Sequence, residues 1–371
     1  MVPEKGKINI RQLSWLITGF CFGSNVLLPT GTAAAHDSWL AILSGTGLGI
    51  LFGLIYTVLS IWFPEQNLVE IFETVYGRLL GKIIFISLLW FFFHSGSLVL
   101  DVFSHFFTTV VMPETPGPVF LIGISLACLM VARKGIEVLA RCGEILVPVT
   151  IGVFILNTIM LLPEFNWNNV RPLFEAPWSD FLAATYQVAV FPFGEIVVFG
   201  MIFQNLNHKS KIFSSVIPGL VIAGLTLMMA SFRNISVLGA SIELYNYPSF
   251  QAFQLINIGQ VITRLEIIVA INAITMGFLK TSVLLYGTSL GAARVLGLRS
   301  NNVLVIPLSL LMIIFAIINF NNVTETSQFF HQRWLFYAAP FELGIPILTL
   351  AVAWVRKATG NLPGINGGES V

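Results

Sequence analysis

The chain has 371 residues, of which 56% are hydrophobic and only 10% charged, and its mean hydropathy is +0.85. An ordinary soluble domain carries about a quarter charged residues, so this composition belongs to a membrane protein. Nineteen Lys and Arg against 18 Asp and Glu leave a formal charge of +1, and no basic stripe with interleaved aromatics occurs, which excludes nucleic acid as the main partner. The three cysteines, Cys21, Cys128 and Cys142, sit inside apolar runs with neither the even count of a disulfide framework nor metal-ligand spacing, and read as packing residues.

A helix that crosses a bilayer needs about 20 apolar residues. On that template the first half of the chain contains spans near 9–33, 38–62, 82–111, 117–133 and 136–162. The amphipathic stretch 63–80 is expected to lie along the cytoplasmic interface. A polar loop, Glu164 to Asp180, follows, and the second half contains spans near 181–204, 212–232, 261–292, 302–320 and 335–355. The expectation is a single all-α transmembrane domain of ten helices, with halves at about 9–162 and 181–357 and a cytoplasmic tail at 358–371. Arg171, Arg233, Arg264 and Arg333 fall on one side, Lys280 lies inside a span, and the other fourteen of the nineteen basic residues fall on the opposite side. By the positive-inside rule both termini are then cytoplasmic. The basic start, apolar run and small residues at 32–35 also imitate a signal peptide, but the run is too long and is interrupted by Gly19, Gly23 and Asn25.

A short pattern recurs in the opening helix of each half. Phe20-Cys21-Phe22-Gly23-Ser24-Asn25-Val26 aligns with Phe191-Pro192-Phe193-Gly194-Glu195-Ile196-Val197, with Phe, Phe, Gly and Val identical. Five spans separate the two copies, so the halves run in opposite directions through the membrane. Glycine tolerates unwound backbone and proline removes a backbone donor, so the copies predict breaks in spans one and six. Paired interruptions of this kind expose half-helix N-termini that suit a carboxylate and free carbonyls that suit an ammonium or a small cation. An amino acid zwitterion has both ends. The competing reading is that glycine and proline are common in membrane helices and let neighbours approach closely.

Ionisable groups at the bilayer centre cost about 2.5–3.5 kcal/mol on insertion scales and call for a partner or a wet cavity. Glu195 follows the second break, Asp101 lies in span three, Lys280 is near the middle of span eight, and Glu342 is flanked by Pro340, Gly344 and Pro346 in span ten. Lys280 reads either as a fixed or titrating internal cation in the place of a coupling ion, or as a structural cation paired with Glu195 or Asp101. Ser282 and Tyr286, four residues apart, share one face of the same helix. His94 and His105 also share a face, but no further ligands accompany them, so no metal site is assigned. No phosphate loop, nucleophile elbow or metal-ligand helix is present, so no enzymatic activity and no cofactor are expected.

Ten spans in two opposed halves, with breaks in the first and sixth, resemble the amino acid, polyamine and organocation transporter superfamily, whose members share the LeuT-like fold. The Gly23-Ser24-Asn25 break followed by Leu27-Leu28-Pro29, the Asn168-Asn169-Val170-Arg171-Pro172 loop, the Phe193-Gly194-Glu195 break and Tyr286-Gly287 resemble more closely the B subunits of spore germinant receptors, the spore permease family. That resemblance implies a germinant sensor in the spore inner membrane. It would work with an A subunit bearing a large soluble domain and a lipoprotein C subunit. It also implies a pocket among spans one, three, six and eight, with Phe22, Gly23, Ser24, Ser95, Val99, Phe193, Gly194, Glu195, Ser282 and Tyr286 near a small ligand, an amino acid by preference. Asp101 and Lys280 would serve charge coupling or structure, and Lys280 departs from the apolar or hydroxylic residue expected of the family. The alternative is a proton- or sodium-coupled amino acid permease.

Overall fold

The computed structural model describes residues 6–23, 25, 27–254 and 266–359. Helix α1 (Ile10–Phe22) begins at a capping box in which the Asn9 side chain accepts from Gln12 N–H at 2.8 Å and Gln12 accepts from Asn9 N–H at 3.0 Å. The residue before that cap joins the two halves: Ile8 N–H donates to Asn205 O at 2.9 Å and Ile8 O accepts from Asn207 N–H at 3.0 Å. The entry to span one and the exit from span six therefore lie at the same end of the bundle, as opposed halves require.

Helix α2 (Ser38–Trp62) follows a short 3₁₀ segment, Thr32–Asp37. The amphipathic stretch forms a separate short helix, α3 (Leu68–Tyr76), again started by a capping box, here between Asn67 and Glu70. Its Leu68, Val69, Ile71 and Phe72 are buried, so its apolar face is turned inward. Helices α4 (Arg78–Phe106), α5 (Gly117–Lys134) and α6 (Ile136–Met160) complete the first half. The polar loop between the halves is tied down by buried Asp37, whose carboxylate accepts from Phe174 N–H at 3.0 Å and Ala176 N–H at 3.1 Å.

The second half opens with α7 (Trp178–Val188), followed by α8 (Phe213–Leu238), a short α9 (Pro248–Gln254), α10 (Glu266–Leu296) and α11 (Asn302–Asn319). The last span is a composite of α12 (Val323–Gln328), α13 (Trp334–Ala339) and α14 (Ile345–Ala358) joined by two wide helical turns, Phe329–Arg333 and Pro340–Gly344. Among the described residues, nine helical runs are long and apolar enough to cross a membrane. The tenth span is α1, which at 13 residues is too short alone because the chain breaks after it. The outer face of the bundle carries exposed Leu51, Val119, Met130 and Leu310, the surface expected against lipid.

Two boundaries differ from the sequence expectation. Arg233, expected in an outer loop, lies inside α8, which runs on to Leu238 and buries it. A hydropathy window stops at a charge, whereas the helix continues because the guanidinium finds partners. Span ten begins earlier than expected, at Val323, because the polar Asn322 side chain caps the helix by accepting from Glu325 N–H at 3.0 Å. Part of the expected span eight, 261–265, lies outside the described residues.

The centre of the bundle is aromatic. Phe91 on α4 stacks on Phe341 at 5.1 Å and meets Trp334 at 5.7 Å, and Trp334 in turn meets Phe191 in span six at 5.9 Å. Trp334 is 1% exposed and so ties three spans together. Trp334→Ala should lower stability by about 3 kcal/mol or more through the cavity it leaves, visible as a lower unfolding temperature in detergent. An unchanged temperature would show that the cluster packs without contributing.

Candidate functional site at the paired helix breaks

Span one breaks at Gly23, where the backbone leaves helical geometry at φ −39° and ψ −86°. Span six breaks at Phe191, at φ −122° and ψ 109°, three residues before Gly194, and resumes as a tight 3₁₀ run, Gly194–Met201. Proline at 192 has no N–H to donate, so the break falls where the helix ladder loses a bond. Both copies of the repeat are thus interrupted, but the second kink lies earlier than Pro192 and Gly194 suggest.

Lys280, on α10, bridges the two breaks. Its side chain runs past Gly23, where an added Cβ would lie 2.9 Å from Lys280 Cβ, so only glycine lets the lysine pass. Its ammonium forms an ion pair with Glu195, just after the second break, and both residues are almost wholly buried. Two rings flank the charge, Phe20 at 5.1 Å and Phe191 at 4.8 Å, each from the span that breaks. Of the two sequence alternatives for a partner, the structure selects Glu195. Asp101 lies elsewhere, accepting from Thr326 Oγ1 at 2.9 Å with His105 Nε2 3.4 Å away.

A second carboxylate joins the group. Glu342, in the wide turn of span ten, is fully buried, and its side chain occupies the space that a Cβ on Gly194 would need. Among the described residues neither of its carboxylate oxygens has a hydrogen-bond partner. The Tyr56 hydroxyl lies 2.5 Å from the Glu342 carbonyl and 3.1 Å from the Gly194 carbonyl, so α2 clamps spans six and ten at this point. The result is one buried ammonium with two buried carboxyl groups around it.

Of the residues the sequence singled out, Gly23, Gly194, Glu195 and Lys280 come together. Phe22 turns aside and packs edge-on against Phe154 of α6 at 5.7 Å, and Phe193 packs against Gly49 of α2. Ser282 lies two residues after Lys280, about 200° around the helix, and sits beside the Cys128 thiol of α5. Tyr286 is buried about 40° from Ser282 on the same helix. Ser95 and Val99 are buried on α4, which packs along α10. Ser24 lies outside the described residues. Phe20, Phe191 and Tyr56 were not singled out in the sequence. The repeat contained the two phenylalanines, but their facing was set by the kinks.

Opposed halves, two broken spans and a polar group between them define a membrane protein with the LeuT fold. The sequence matches the Spore_permease family, described as spore germination protein, over residues 7–324, and the chain belongs to that family. It is 28% identical over 360 residues to spore germination protein KB of Bacillus subtilis strain 168, covering 95% of this chain and 96% of that protein. The fold is similar to that of Mhp1, a nucleobase-cation-symport-1 family transporter solved in a closed conformation with bromovinylhydantoin bound. The TM-score is 0.73 at 13% identity, with 96% of this chain and 82% of Mhp1 covered. It is also similar to MhsT solved in complex with L-phenylalanine, with TM-score 0.65 at 13% identity over 99% of this chain and 94% of that one. The chain is therefore an integral membrane protein of germinant-receptor or permease type.

Breaking the buried pair should cost more than replacing it whole. Lys280→Met or Glu195→Gln alone is expected to destabilise by about 3–5 kcal/mol, and the double replacement by much less than the sum. Denaturation midpoints of the three variants check this, and additive losses would show that the pair is not coupled. Gly194→Ala should be strongly destabilising because the new methyl meets the Glu342 carboxylate, and Glu342→Ala should largely relieve it. Persistence of the full Gly194→Ala defect on the Glu342→Ala background would show that backbone geometry, not that contact, requires the glycine.

Proposed function

We propose that the chain is the membrane subunit of a spore germinant receptor. In this reading a small germinant, an amino acid by preference, is bound where the broken spans meet. The carrying observation is the charge arrangement there: one ammonium, Lys280, faces two carboxylates, Glu195 and Glu342, with Gly23 and Gly194 leaving the close approach. A zwitterion matches that arrangement at both ends. Its carboxylate would pair with Lys280, and its ammonium with the carboxylates the lysine gives up, so neither charge is left unpaired in the membrane. Support by likeness comes from MhsT, solved with L-phenylalanine, and from Mhp1, solved with a hydantoin.

Binding acts on signalling by shifting the balance between conformations. A ligand can do so only by its difference in affinity for the two states. Lys280 bridges spans one, six and eight, so exchanging its partner from Glu195 to a ligand loosens one contact and makes another across the moving elements. The reading places the chain in the spore inner membrane as a single transmembrane domain with both termini cytoplasmic. Its partners would be an A subunit with a soluble domain and a lipoprotein C subunit. The second reading is a proton- or sodium-coupled amino acid permease. It is favoured by the unpartnered Glu342 carboxylate beside the pair, a site where a proton or small cation would complete the neutralisation.

Thermal unfolding of the purified protein against a panel of amino acids and nucleosides tests the pocket. A bound amino acid at a hundred times its Kd adds about 2.7 kcal/mol to stability. The expected result is a rise in unfolding temperature with at least one amino acid, abolished when Lys280→Met and Glu195→Gln are combined, the pair of substitutions that costs less stability than either alone. No rise at millimolar ligand, or a rise untouched by both substitutions, would refute binding at the breaks. Flux of the same amino acid in proteoliposomes then separates the two readings: a sensor binds without sustained uptake, whereas a permease accumulates the ligand.

A further inference from the structure

Among the described residues Arg233 is the other buried Lys or Arg beside Lys280, and it stands apart from the breaks. It is 1% exposed inside α8, and among the described residues no carboxylate lies within ion-pair distance of it. Its guanidinium is held between two rings, Phe154 of α6 and Phe253 of α9, each 4.9 Å from the central carbon. Nε donates to Asn234 Oδ1 at 3.1 Å, and Nη2 reaches Asn234 Oδ1 at 2.9 Å and Ser249 Oγ at 3.0 Å. These partners are neutral, so they orient the guanidinium without cancelling its charge. Nη1 makes no hydrogen bond to any described residue. A charge so deep in an apolar bundle calls for a counter-charge.

The surroundings are built to receive one. Arg233 lines a small cavity of about 20 Å³ together with Asn157 of α6 and Asn272 of α10. Both asparagines are more than nine-tenths buried, and neither side-chain amide makes a hydrogen bond to a described residue, so their N–H groups are available to the same space. Ser249 Oγ accepts from Arg233 and also from Asn234 Nδ2 at 2.9 Å, which leaves its own hydroxyl proton free to donate. The cavity adjoins a second one, and the second adjoins a third, through shared lining residues. Ala230 and Ser249 also line a second cavity of about 50 Å³, and that one shares Pro29, Thr32 and Pro248 with an open vestibule of about 690 Å³. The vestibule lies at the end of the bundle that carries the loop between the halves, where its lining is of mixed charge, with His36 and Arg171 beside Glu175 and Glu243.

We propose that Arg233, with Asn157, Asn272 and Ser249, forms a binding site for a small monoanion that enters from this vestibule. The anion is the carboxylate of an organic molecule or a halide. Four sets of donors and one uncompensated positive charge converge there, whereas the breaks present an excess of carboxylate. The site is therefore distinct in sign as well as in place, and it stands whether or not an amino acid binds at the breaks. Its size in this conformation admits a head group only, and the rest of an organic ligand would extend outward through the middle cavity. The shared element is α1: Phe22 lines the Arg233 cavity, and the next residue, Gly23, packs on Lys280.

The test is thermal unfolding of the full chain in sodium sulfate, with sodium acetate or sodium chloride substituted at constant ionic strength. Acetate carries no ammonium to meet the carboxylates at the breaks, and a response that persists in Lys280→Met but is lost in Arg233→Gln reports on this site and not on the proposed zwitterion site. The expected result is a saturable rise in unfolding temperature with acetate. It should be lost in Arg233→Gln and weakened about tenfold in apparent affinity by Asn157→Leu or Asn272→Leu, the effect of one hydrogen bond to a charge. A rise with chloride instead, with the same losses, also supports the site and assigns its anion as a halide. No response to either salt overturns the proposal, as does a response that survives all three substitutions. Should Arg233→Gln fail to fold, the two asparagine variants decide the matter alone. An acetate response without any amino acid response at the breaks would refute the proposed germinant pocket and leave this site standing, and the converse result would do the reverse.

Discussion

The arrangement of this protein turns on one lysine ammonium buried at 0% exposure in the middle of an apolar bundle. Burying an unpaired charge in a bundle costs several kcal/mol, so the position of Lys280 dictates the positions of its neighbours. Glu195 must stand opposite it, and Gly23 must lack a side chain so that the lysine can pass. Phe20 and Phe191 place their rings against the ammonium, since an aromatic face is a favourable partner that an apolar side chain can offer a cation. Each of those residues lies on a span that breaks within a few residues. The breaks and the charge are one structural problem, because an intact helix would hold neither Glu195 nor Phe191 in its observed direction.

That dependence explains what could be read from the sequence and what could not. The recurrence of Phe-x-Phe-Gly located both breaks, and the long apolar runs located the spans, because glycine, proline and hydropathy act locally and leave a mark in the chain. Facing is another matter. Ser282 shares a helix and a depth with Lys280 but lies about 200° around it, beside Cys128. Phe22 and Phe193 occupy matching positions in the repeat, yet one packs on α6 and the other on α2. Side-chain direction near a kink depends on torsions such as those of Phe191, which the residue types at 191–194 permit but do not specify.

Arg233 shows the same limit from the other direction. A charged residue after 21 uncharged positions reads as the end of a span, since hydropathy counts cost and not compensation. The helix continues because two rings and two neutral acceptors come from α6, α9 and its own neighbour Asn234, none of which is near in sequence except the last. Glu342 was visible as a charge among prolines, but only the fold shows that its carboxylate fills the space beside Gly194.

The two buried basic residues divide the interior by sign. Around Lys280 the carboxylates outnumber the cation, and around Arg233 a cation stands with neutral donors. The C-terminal end of α1 separates them, with the ring of Phe22 on the arginine side and the bare backbone of Gly23 on the lysine side. Any rotation or shift of this end changes both environments at once, because no side chain at Gly23 buffers one from the other. The same short piece of backbone therefore borders both environments, and the interruption of span one falls within it. An unbroken first helix would transmit the same displacement along its whole length, against the packing of α6, α8 and α10, and the response would be resisted by every contact along it.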